Sequence, residues 1–186
     1  MVVEDDPFAD LHPPTAPRLA ALDQLERVIY VSSFSKTLSA GLRVGYVAGA
    51  PHLISDLCDL KMVTMVSTSD LVERVVFQMV SAGHYRRHVQ KLKTRLQELH
   101  PWAVKSLRRA GATVRASDPG GYYIWLELPK GVDELGLIQK AATAGIFLAP
   151  GSVFYPTRTV HPPALRINVA YASDPKFLSF IEKALR

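Results

Sequence analysis

Apolar and polar positions follow two different periods along this chain. Two short apolar runs, residues 28–31 and 44–48, have the length and β-branched content of buried strands. Val2-Val3 reads as the tail of another strand, stopped by Glu4-Asp5-Asp6-Pro7. Residues 9–18 are proline-rich and predict a surface loop, and residues 19–25 predict a helical turn. From Pro51, suited to a first helical position, the spacing becomes helical through Leu53, Ile54, Leu57 and Leu60. Ser67-Thr68-Ser69-Asp70 interrupts it with residues that favour N-caps. A second helix is predicted over 71–82, ended by Gly83. A long amphipathic helix follows over 84–100, with Val89, Leu92, Leu96 and Leu99 on one face. Pro101 predicts a break or kink, with helix resuming to Arg109.

The last third mixes the two periods. Strands are predicted over 112–116, 122–128, 146–149 and 165–171, and helices over 131–144 and 175–185. Asp118-Pro119-Gly120-Gly121 is a turn signal between the first two strands. The last third as a whole reads as α+β.

Composition narrows the class. Of 186 residues, 48% are hydrophobic and 21% charged, an ordinary globular balance. The net charge of +5 is spread out, and its densest group, Arg86, Arg87, Lys91, Lys93 and Arg95, lies on the predicted long helix as a solvated face. No nucleic-acid-binding motif accompanies it. The single cysteine, Cys58, excludes an internal disulfide, and the six histidines lack metal-ligand spacing. No apolar run is long enough to span a bilayer and no signal peptide opens the chain, so the expected location is cytoplasmic.

The chemistry concentrates between the two apolar runs, in Ser32-Ser33-Phe34-Ser35-Lys36-Thr37-Leu38-Ser39-Ala40-Gly41-Leu42-Arg43. Lys36 and Arg43 stand at strand ends, where open α/β sheets gather ligands. A lysine in a partly dry pocket loses its proton more readily and forms Schiff bases. An arginine flanked by hydroxyls clamps phosphate. One aldehyde and one phosphate describe pyridoxal phosphate.

This stretch resembles the lysine segment of fold-type I pyridoxal-phosphate enzymes. It is similar to class I/II aminotransferases, including the 2-aminoadipate type, and equally to the aminotransferase-like half of MocR-type regulators of the GntR family. Three later pieces carry the same resemblance. Pro119-Gly120-Gly121-Tyr122-Tyr123-Ile124-Trp125 resembles the small-domain strand signature. Ala149-Pro150-Gly151-Ser152-Val153-Phe154-Tyr155 resembles the loop over the substrate. Leu165-Arg166-Ile167-Asn168-Val169 resembles the strand whose arginine grips the substrate carboxylate.

The resemblance implies roles. Lys36 is the Schiff-base lysine, and Arg43, Ser33 and Ser35 hold the phosphate. An acid before Pro7 pairs with the pyridine nitrogen, Asp5 first and Asp6 as the alternative. Arg166 binds the substrate. Many relatives have a tyrosine where this chain has Phe8, which cannot donate a hydrogen bond to the ring hydroxyl. The implied fold is α/β: the C-terminal part of an aspartate aminotransferase-like large domain, residues 1–84, then an interdomain helix and a small α+β domain, residues 85–186. The match covers only the second half of a typical relative, so the helix N-terminus that cups the phosphate and the ring-stacking aromatic are not among these residues. The chain alone is therefore expected to be inactive. Two functions are implied: amino-group transfer between an amino acid and a 2-oxo acid, in a homodimer, or a ligand-sensing effector domain that meets DNA only through an upstream winged-helix domain.

Overall fold

The computed structural model describes residues 1–13, 15–115, 120–157 and 161–185. They form two compact units, Met1–Lys93 and Thr94–Arg186.

The first unit is built on a three-stranded sheet of β1 (Val2–Asp5), β2 (Val28–Ser33) and β3 (Gly45–Ala48). β1 and β2 are parallel, so both end at the same edge, and β3 returns antiparallel to β2. A short helix, α1 (Leu19–Asp23), lies between β1 and β2 in sequence. The acidic run continues β1 rather than merely ending it. Glu4 accepts from the amides of Leu19 (3.0 Å) and Ala20 (2.8 Å), satisfying donors that α1 cannot satisfy itself. β2 likewise extends past the apolar run into Ser32 and Ser33, because Ser33 still pairs with Gly45 across the sheet. Glycine is required there: a Cβ on Gly45 would lie 2.6 Å from the Ser32 carbonyl oxygen.

Three helices complete this unit or leave it. They are α2 (Pro51–Thr64), α3 (Asp70–Ser81) and α4 (His84–Arg109). Ser69 takes the N-cap position of α3 without a side-chain cap bond. α4 runs unbroken through Pro101, against the break expected there. Its apolar stripe continues on both sides of the proline, with Leu96, Ala103 and Leu107 all buried, and packing of that stripe offsets the roughly 3 kcal/mol that an interior proline costs.

The second unit carries a four-stranded antiparallel sheet in the order β4 (Thr113–Val114), β5 (Tyr123–Glu127), β7 (Ala164–Asn168), β6 (Ala149–Pro150). Ile124 and Leu126 of β5 and Leu165 and Ile167 of β7 are buried on one face. With them are buried Leu137 and Ala141 of α5 (Glu134–Thr143) and Phe177 and Ile181 of α6 (Pro175–Leu185). α5 starts where Asp133 accepts from the Gly136 amide at 3.0 Å.

Several strands are shorter than expected, β4 keeping only Thr113 and Val114. Residues 146–148 are not strand, and only Ala149 and Pro150 pair with β7. β7 stops at Asn168, whose side chain accepts from the Ala170 amide at 3.0 Å and starts a 3-10 turn, Val169–Tyr171. Asp118 and Pro119 of the expected turn, and Ala116 of the expected strand, lie outside the described residues.

Candidate functional site

The strand ends of the first unit gather five of the six sequence-predicted residues. β1 and β2 both finish at this edge, and β3 begins there. Asp5 pairs in register with Val31, and Ser33 with Gly45. Positions paired across strands share a sheet face, as do positions two apart, so Asp5 and Ser33 are on one face.

The three acids divide their tasks by the strand's period of two. Glu4 caps α1 and Asp6 lies on the same side, bonded to Arg18 Nε at 3.0 Å and accepting from Tyr30 Oη at 3.3 Å. Arg18 also donates to the Ala9 carbonyl at 2.9 Å, and its guanidinium is raised in pKa chiefly by the bond to Asp6. Asp5 faces the other way, is exposed, and its side chain has no hydrogen bond or ion pair among the described residues.

After Ser33 the chain makes a tight turn. The Leu38 amide donates to Phe34 O at 2.8 Å, and the Phe34 amide to Val44 O at 3.0 Å, closing the loop's base. Ser33 Oγ accepts from the Ser35 amide at 3.1 Å and donates to Val44 O at a longer 3.4 Å. Lys36 is exposed on this turn, so the described residues do not enclose it in a dry pocket. Its neighbour Thr37 is buried, with Oγ1 2.7 Å from Tyr85 Oη on α4. Arg43 is exposed and takes a left-handed backbone, φ 53° and ψ 37°, immediately before β3. That conformation is uncommon for a residue with a Cβ and turns the chain sharply back toward the strand.

The sixth residue, Arg166, belongs to the second unit. It lies on the half-exposed face of β7, opposite Trp125 of β5. Its guanidinium carbon is 4.1 Å from the ring centroid of Tyr123 and 4.1 Å from that of Phe154. Trp125 meets Phe154 and Tyr155 edge-on, at 6.1 and 5.9 Å between centroids. Both rings pack against the guanidinium as cation–π partners, which do not use its N–H donors. Arg166 Nε is buried and has no hydrogen-bond partner among the described residues. An unpaired buried charge-bearing donor is costly, so the cage is complete only with an acceptor. Beside it a cleft of about 350 Å³ is lined by Ile146, Phe147, Leu148, Arg166, Tyr171 and Phe177, among others.

The rings around Arg166 and the tyrosine behind Thr37 are additions that the sequence reading did not make. The first could have been found from the period of β5, which puts Tyr123 and Trp125 on one face; the second had no local signal. Among the described residues no group of three or more His, Cys, Asp or Glu is placed to hold a metal ion, and no helix is long and apolar enough to cross a membrane.

Comparison with known proteins matches this geometry to a family. The family model described as "Aminotransferase class I and II" matches residues 1–183. An uncharacterized HTH-type transcriptional regulator of Bacillus subtilis, YdfD, is 31% identical over 176 residues, 92% of this chain and 36% of that protein. Aromatic-amino-acid aminotransferase 1 of Thermococcus litoralis is 29% identical over 188 residues, 98% of this chain and 45% of that protein. Among solved structures, LysN, the alpha-aminoadipate aminotransferase of Thermus thermophilus complexed with N-(5'-phosphopyridoxyl)-L-leucine, superposes with a TM-score of 0.80 at 25% identity, covering 100% of this chain and 50% of that one. The chain thus spans half or less of the length of these relatives. With the family match running over nearly all its residues, and with the α/β fold shared with a solved member, the chain belongs to the class I and II aminotransferases.

Proposed function

We propose that this chain carries the cofactor end of a pyridoxal-phosphate-dependent aminotransferase, which moves an amino group between an amino acid and a 2-oxo acid. The observation that carries the reading is the strand-end cluster: an unpaired carboxylate, an exposed amine, an exposed guanidinium and two serines on one edge of one sheet. That donor set fits the three functional ends of the cofactor. Asp5 is the anion for the pyridine nitrogen, since Asp6 is committed to Arg18 and Tyr30. Arg43 and Ser35 bind the phosphate, joined by Ser33 when its long bond to Val44 O opens. When bound, pyridoxal phosphate supplies an aldehyde that links to amines and a ring that accepts electrons. Lys36 Nζ is the amine that would meet the aldehyde, and as a free amine it would serve as the base for the proton on the substrate's α-carbon. Arg166 orients the substrate by its carboxylate, which accepts from the N–H donors of the guanidinium. Operation as a homodimer is part of the same proposal.

The test is chemical trapping. Borohydride reduction of the chain with pyridoxal phosphate, followed by peptide mapping, is expected to leave the pyridoxyl group on Lys36. Labelling of a different lysine overturns the assignment. A second reading is favoured by the 31% identity to an HTH-type regulator: the same site serves as a ligand-sensing effector domain. Coding sequence in frame upstream of this chain separates the two, because a helix-turn-helix segment there supports the regulator.

A further inference from the structure

We infer that Tyr85 is a positioning residue: its hydroxyl ties the Lys36 turn to the segment that follows Asp5 and so fixes the acid and the amine relative to each other. The inference rests on the cofactor reading above, and it concerns residues within the first unit only.

The geometry is specific. Tyr85 has one phenolic proton, and it donates to the Asp10 carboxylate. A carboxylate only accepts, so the second contact, Thr37 Oγ1 at 2.7 Å, is a donation from the threonine to the phenol oxygen. Thr37 is the residue after Lys36 and is 2% exposed. Asp10 sits in the 3-10 turn Ala9–Leu11, which follows Asp5 and Asp6 through Pro7 and Phe8. One hydroxyl therefore joins the Lys36 turn to the 3-10 turn that follows the Asp5 strand, two segments far apart in sequence. The phenol ring is held as well, edge-on to Phe34 of the same turn at 5.3 Å and 77°. Lys93 of the same helix adds a second tie, donating to His12 O at 3.3 Å. Lys36 is exposed while its neighbour Thr37 is buried and anchored, so the anchor restricts where the backbone presents the lysine.

Tyr85→Phe removes the relay and keeps the ring. Thr37→Val removes the donor at constant shape, and Thr37→Ser restores it. Two measurements are made on the chain itself. Amide hydrogen exchange without cofactor is expected to quicken about tenfold at residues 35–38 and 9–12 in Tyr85→Phe and Thr37→Val, the factor matching one hydrogen bond's net worth, and to return in Thr37→Ser. Pyridoxyl labelling is then followed against cofactor concentration. The limiting rate at Lys36 is expected to fall about tenfold in the same two variants, with the half-saturating concentration unchanged. Unaltered exchange, or faster exchange with an unaltered limiting rate, overturns the positioning role. Absence of label from Lys36 in the parent chain instead sinks the cofactor reading.

Discussion

The guanidinium carbon of Arg166 lies 4.1 Å from the centroid of the Tyr123 ring and 4.1 Å from that of the Phe154 ring. Two rings packed against a planar cation hold it in place while its N–H donors remain available to an anion. Lysine has no plane to sandwich and no fork to meet a carboxylate. Arg166→Lys is expected to raise the half-saturating amino-acid concentration about tenfold or more, the equivalent of one lost charge-assisted bond. Labelling of Lys36 by pyridoxal phosphate should stay intact. A variant that lost labelling would place Arg166 in the cofactor site or in the fold.

Asp5 and Asp6 are neighbours with opposite expected phenotypes. Asp6 is held by Arg18 with both side chains largely covered, at 19% and 25% exposure. Asp6→Ala is expected to cost about 1.5–3 kcal/mol, nearer the lower figure because some solvent remains. The Asp5 side chain has no partner among the described residues, so Asp5→Ala should stay within about 0.5 kcal/mol of the parent. It should nevertheless weaken pyridoxal-phosphate binding in a fluorescence titration. Reversed behaviour, with Asp5→Ala destabilising and Asp6→Ala cofactor-deficient, would exchange the two roles.

The sequence made these assignments visible unevenly. The apolar runs at 28–31 and 175–185 became strand and helix because a period there reports one buried face. Of the break or kink expected at Pro101 the break does not occur, since a local rule about a missing amide does not weigh the buried stripe on both sides of it. Residues 146–148 misled for the converse reason: they are apolar but line a cleft instead of pairing. At the site, Lys36, Arg43 and Asp5 were legible as motifs because each is fixed by its own strand end. Tyr85 was not, since its partners are 48 and 75 residues away and only the fold brings them together.

Arg43 offers a test in which charge and backbone act separately. Its φ of 53° suits glycine better than any residue with a Cβ. Arg43→Ala removes the cation and keeps the strain. Arg43→Gly removes the cation and relieves the strain, and should be the more stable of the two by up to about 1 kcal/mol, less what glycine's looser unfolded chain takes back. Both should weaken pyridoxal-phosphate affinity tenfold or more, in keeping with one lost charge-assisted phosphate contact. Affinity retained in both variants would remove Arg43 from the phosphate site.

Alkaline pH should loosen the first unit through Tyr85. Burial raises its phenol above the ordinary value of 10.0, and donation to Asp10 raises it further, outweighing the opposing bond from Thr37. The folded pKa thus exceeds the unfolded one. Between the two, the folded chain keeps a proton that the unfolded chain has lost, so stability falls as pH rises. The contribution is complete below about pH 10 and is lost as pH climbs through the folded-state value, with a slope of at most about 1.4 kcal/mol per pH unit for this one proton. Tyr30 and Tyr122, both raised chiefly by burial, add slopes of the same sign. Their presence makes the parent's slope alone uninformative, and comparison with Tyr85→Phe isolates the one group. The melting temperature of the parent should drop more steeply than that of Tyr85→Phe between pH 9.5 and 11.5, a window set around the ordinary phenol range. Parallel melting curves would mean that the Tyr85 proton is no better held in the folded chain than in the unfolded one.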